Sequence, residues 1–154
     1  MKRSFVQFLK LAILFIGFFV LAVMIRFPQT EGRASNLDLV SIYSDPFIIY
    51  IYIATIPFFA GLYQAFKLVS YIGRNQIFSK YTINTLKNIR NCALILTAFI
   101  IGAAAFIILT FKTTIPDDDP AGFIALCIFT TIASGSIALA SSIFATLLQK
   151  KVRK

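Results

Sequence analysis

Chemistry in this chain would have to come from few side chains. Glu31, Asp38, Asp45, Asp117, Asp118 and Asp119 supply every side-chain carboxylate, and histidine is absent, which removes the commonest general base and metal ligand. The single acidic cluster, Asp117 to Asp119 within "TTIPDDDPAG", lacks the alternating ligands and closing glutamate of a calcium loop. It reads as a solvated, proline-bounded turn, with attraction of a cationic peptide as the alternative. Cys92 and Cys127 have no C-x-x-C spacing and each stands inside apolar sequence, so both read as small buried hydrophobes. No nucleophile stands beside a base, no glycine-rich loop is set to cradle phosphate, and no carboxylate pair shares a cleft. The residue types point to a non-enzyme with no cofactor and no metal site.

Three other patterns carry information. Thr130, Ser134, Ala138 and Ser142 recur every four residues with Gly135 beside them, a spacing that lets two helix backbones approach and hydroxyls bond across the contact. Gly102 with Ala98, and Gly61 with Ala65, offer matching small surfaces, within one chain or between copies; a pore lined by hydroxyls is the alternative. Pro57 in "YIATIPFFAGLYQ" is expected to kink its helix, with a break that frees a carbonyl near Ile53 as the alternative. Finally, "IGRNQIFSKYTINTLKNIR", residues 72–90, carries four positive charges and no negative one between two apolar stretches.

The elements that hold these residues follow from hydropathy. The chain has 154 residues, 58% of them hydrophobic and 14% charged, with a mean hydropathy of +0.84, outside the balance of a small soluble domain. Four windows are long enough to cross ~30 Å of hydrocarbon, at about 5–25, 46–66, 91–111 and 121–148. The expected fold is all-α: one membrane domain over 1–154, a four-helix, up-and-down bundle. Lys10 interrupts the first window, where its stem can reach the headgroups. A cleaved signal peptide is the rival reading of that window, but no small-x-small site follows it closely. In this topology Cys92 and Cys127 lie on the order of 20 Å apart, which argues against a disulfide between them.

Charge placement sets the orientation. With the N-terminus in the cytoplasm, the inner segments collect twelve of the fifteen Lys and Arg residues and the outer segments hold Arg26, Arg33 and Lys112. Both ends are then cytoplasmic, with an inner loop at 67–90 and outer loops at 26–45 and 112–120, in a bacterial cytoplasmic membrane. The net charge of +9 becomes a topology signal and an attraction to anionic inner-leaflet lipid rather than a nucleic-acid footprint.

The inner loop has a grammar of its own. Gly73 and Asn75 favour a turn, Ile77 and Phe78 read as an apolar plug, and Ser79 stands where an N-cap belongs. The third helix is thus expected to start near Lys80, about three turns before the membrane. Tyr81, Ile83, Leu86, Ile89 and Ala93 form its apolar stripe, with Lys80, Asn84, Lys87 and Asn91 opposite. Asp45-Pro46 and Asp119-Pro120 mark the starts of the second and fourth helices. "NLDLVSIY" in the first outer loop can lie on the membrane surface as a short helix.

Four spans, a short loop between the third and fourth, and "YIGRNQIFSKYTINTLKNIRNCALIL" resemble the YoaS-like bacterial membrane family, known as a domain of unknown function. Phe78, Ser79, Asn84, Leu86, Lys87, Ile89 and Arg90 stand in places comparable to that family's "G-x-x-F-(S/T)" element and "N-x-x-x-L-(K/R)-x-I" helix, with the spacing shifted. The resemblance implies a four-helix membrane protein, often encoded beside a small helix-turn-helix regulator, and assigns no catalytic residue. The expected function is regulation or interaction, with Phe78, Lys80, Lys87 and Arg90 meeting a cytoplasmic partner. A channel or transporter subunit, or immunity to a membrane-active peptide, are the alternatives.

Overall fold

A computed structural model describes residues 3–30, 44, 46–114 and 121–153. Among them the chain forms four α-helices and no strand: α1 Arg3–Thr30, α2 Pro46–Gly73, α3 Lys80–Thr114 and α4 Ala121–Val152. Each is longer than the ~20 residues a span requires, and each contains a stretch apolar enough to cross a membrane. Their outer faces stay apolar; Phe8 and Phe18 of α1 and Phe129 of α4 are more than 70% exposed. Water would penalise such a surface, whereas lipid matches it, and a helix satisfies its backbone polar groups without help from solvent. The architecture is all-α and membrane-spanning.

The contacts divide the chain into two compact units, Met1–Ile77 and Phe78–Lys154, each built on a helical hairpin. In the first, α1 and α2 run antiparallel: the Tyr52 hydroxyl donates to the Met24 carbonyl at 3.2 Å, and Lys10 Nζ lies 5.1 Å from the centre of the Phe66 ring. Two glycines set the approach. A methyl added at Gly17 would come within 3.0 Å of Leu62 Cδ2, and one at Gly73 within 2.8 Å of Val6 Cγ1. Lys10 thus places its ammonium on an aromatic face of the neighbouring helix, a cation–π contact that offsets some of its cost at the membrane edge. Helix α2 runs unbroken through Pro57. Thr55 and Tyr63 are engaged separately, the Thr55 hydroxyl donating to the Tyr52 carbonyl at 2.6 Å and the Tyr63 ring lying 4.6 Å from Lys67 Nζ.

In the second unit the contact between α3 and α4 is much more extensive. The buried positions of α4 are Cys127, Ser134, Ala138, Ser141 and Ala145, and those of α3 include Leu86, Ile89, Ala93, Ala103 and Ile107. The spacings, seven then four, three and four along α4 and three, four, ten and four along α3, fit a mean period of 3.5 that keeps one seam facing a partner over many turns. The Thr97 and Ser134 hydroxyls meet across it at 2.7 Å. This seam follows a different register from the four-residue row expected from sequence, a row offered for packing within one chain or between copies. Each step of four turns a helix about 40° past its starting face, so a row of fours leaves the seam: Ser134 and Ala138 are buried, while Thr130, Gly135 and Ser142 are half-buried at its margins. Gly102 is exposed and its neighbour Ala103 takes the seam position.

Cys92 and Cys127 are both free thiols. The surface helix expected in "NLDLVSIY" and the acidic turn at 117–119 lie outside the described residues.

Candidate functional site

The basic segment is built from two local devices. At the end of α2 the Gln76 N–H donates to the Tyr71 carbonyl at 3.0 Å and the Asn75 N–H to the Ile72 carbonyl at 3.1 Å. These six-to-one and five-to-two bonds, with Asn75 at φ 57°, make a Schellman cap in which asparagine takes the left-handed position usually given to glycine. At the start of α3 the Ser79 hydroxyl accepts the Thr82 N–H at 3.2 Å and lies 3.2 Å from the Thr82 hydroxyl, while the Ser79 carbonyl accepts the Ile83 N–H at 3.3 Å. The N-cap stands where the sequence places it, and α3 starts at Lys80. A cap of this kind contributes about 1 kcal/mol.

Beyond the cap, the first turns of α3 are among the most deeply packed parts of the molecule. Thr82 is 1% exposed, and Ile83, Thr85, Leu86 and Ile89 are buried with it. Tyr81 departs from the expected stripe: it is 70% exposed, because a position two residues before Ile83 projects about 200° away from it. Lys80, Asn84 and Asn91 are exposed and Lys87 is half-buried, so the cationic face is presented outward by a helix whose other side is fixed.

That face does not stand alone. The start of α3 lies beside the end of α4, and the two enclose a groove of about 600 Å³. Lys80, Ile83 and Asn84 form one wall; Thr146, Gln149, Lys150 and Arg153 line the other. Lys151 Nζ sits 4.7 Å from the centre of the Phe78 ring, which ties the apolar plug to the tail of α4. Of the four residues expected at the site, Lys80 enters the groove, Phe78 packs under Lys151, and Lys87 lies one turn beyond Asn84 on the same face. Arg90 is turned aside: its Nε and Nη2 donate to Asn91 Oδ1 at 3.3 and 3.2 Å.

Sequence reasoning missed the contribution of Lys150 and Arg153. They counted only as topology charges in "QKKVRK", yet an antiparallel pairing of α3 with α4 brings that tail to the start of α3. Electrostatics sharpen the site, because no carboxylate side chain occurs among the described residues. With cations from two helices, the groove has a positive potential suited to an anion. Among the described residues no group of three His, Cys, Asp or Glu side chains is placed to hold a metal ion.

Comparison with known proteins adds a family. The family model described as "Protein of unknown function (DUF2975)" matches residues 12–153. The "Uncharacterized membrane protein YoaS" of Bacillus subtilis (strain 168) is 36% identical over 156 residues, an alignment that covers all of this chain and 92% of that protein. No solved structure matches.

Proposed function

The chain belongs to the DUF2975 family of proteins of unknown function, and we propose that this member is a non-enzymatic regulatory or interaction protein of the bacterial cytoplasmic membrane. Its partner is cytoplasmic and is met by the basic start of α3, with both chain ends on the same side of the membrane. The supporting observation is the construction of that segment. It is capped by Ser79, anchored by the buried Thr82, Ile83 and Leu86, and presents Lys80 and Lys87 from a fixed helix. A segment serving only as a topology signal needs charge but not this degree of order.

The chemistry fits an acidic partner surface with an apolar contact at Phe78, which is 52% exposed beside Lys80. A small helix-turn-helix regulator is the partner that the family resemblance implies. The pore alternative has less support, since Thr130, Ser136 and Thr146 each donate to a carbonyl of their own helix. A photoreactive residue at Lys80 in native membranes is expected to capture one cytoplasmic protein. Replacing Phe78 and Lys87 as well should abolish its recovery while leaving the helical content of the purified protein unchanged. Recovery of the same proteins before and after replacement would sink the reading.

A further inference from the structure

We propose that the groove between the start of α3 and the end of α4 holds the phosphate of an anionic phospholipid, with the lipid chains lying along the outer face of α4. This assignment goes beyond the protein-partner reading: it shares Lys80 with that reading and takes its other cations, Lys150 and Arg153, from α4.

Three observations converge on it. The first is charge: Lys80, Lys150 and Arg153 line one groove, with the amides of Asn84 and Gln149 as further donors and no carboxylate side chain among the described residues. Arginine engages phosphate oxygens in a bidentate fork and lysine adds a mobile point charge, so the set suits a phosphodiester, and the apolar surface leading into the groove is what favours a lipid over a carboxylate.

The second is the cost of placing Lys80 there. It occupies the first turn of α3, which holds no acid, at the positive end of the helix dipole. A cation is disfavoured at that position in an empty groove and is compensated when an anion sits between it and the α4 cations.

The third is the surface that leads into the groove. Ile143, Phe144 and Leu147 of α4 are 57–60% exposed and stand immediately before Gln149 and Lys150. An apolar, lipid-facing surface thus runs directly to a cationic groove, the sequence of environments met by a phospholipid from chain to headgroup. Free phosphate would use the cations and leave that apolar face without a role. The volume of about 600 Å³ lies within the range of ~300–1,000 Å³ of small-molecule sites.

The test is native mass spectrometry of the purified full chain, released from detergent micelles that contain equal amounts of phosphatidylglycerol and phosphatidylcholine. The protein is expected to retain phosphatidylglycerol in preference to phosphatidylcholine by about tenfold or more, each cation contributing roughly fivefold. Lys80→Gln/Lys150→Gln/Arg153→Gln should remove the preference, and Lys80→Arg/Lys150→Arg should keep it. Lys67→Gln/Arg74→Gln, in the first hairpin, should also keep it despite the lost charge. If the triple variant does not fold, Lys150→Gln/Arg153→Gln carries the test with an expected loss of at least tenfold. Equal retention of the two lipids, or an undiminished preference in the glutamine variants, would overturn the proposal. Displacement of phosphatidylglycerol by millimolar glycerol phosphate would overturn it too, by assigning the groove to soluble phosphate.

Discussion

The two hairpins start from similar material, long apolar helices with most of their cations at one end, and reach different degrees of closure. Between α1 and α2 the contact contains large side chains, Leu62, Phe66 and Tyr52, with close approaches at Gly17 and Gly73. Between α3 and α4 the seam of α4 is small throughout, from Cys127 to Ala145, so the backbones stay close over five turns. Lipid offers no hydrophobic drive for pairing helices, so packing shape decides which pair closes. The tighter hairpin also has the longer helices, 35 and 32 residues against 28 and 28. Its extra turns build the cationic groove.

The sharpest way to break this contrast is to overfill the tight seam. Ala138→Phe puts a ring where the residue is 4% exposed and should cost on the order of 3 kcal/mol by overpacking, read as a lowered midpoint of thermal unfolding in detergent. Phe18→Ala on the exposed face of α1 should change that midpoint little. Equal effects would erase the difference drawn between the hairpins.

A smaller effect is expected where the first hairpin closes. Gly73→Ala should cost about 1–2 kcal/mol through its 2.8 Å approach to Val6, and Val6→Ala should restore part of the loss. Additive losses in the double variant would show that the two residues do not meet. Ser79→Ala should cost about 1 kcal/mol and raise amide exchange at Thr82 and Ile83, leaving α2 protected. The smallest term is the Thr97–Ser134 hydrogen bond, for which a double-mutant cycle of Thr97→Val and Ser134→Ala should give a coupling of about 0.6 kcal/mol.

Much of this was readable in the sequence, because much of it is local. Apolar runs of membrane length, the Ser79 cap, the turn at Gly73 to Asn75 and the helix start at Lys80 depend on neighbouring residues alone. The register of α3 against α4 was not readable, since it depends on which small residues of two helices meet. That register buries Ser141 and Ala145 and leaves Thr130 and Ser142 at the margin of the seam. The groove was hidden for the same reason: Lys80 and Lys150 are 70 positions apart in the chain, and only the antiparallel pairing makes them neighbours.

The proposal that the cationic groove faces the cytoplasm is tested by its accessibility from the two sides of the membrane. Asn84→Cys in a background carrying Cys92→Ala and Cys127→Ala places one thiol on its wall. A membrane-impermeant maleimide should label that thiol in inverted vesicles and leave it unmodified in intact spheroplasts. Labelling in intact spheroplasts, with none added by inversion, would put the groove outside the cell and contradict the account.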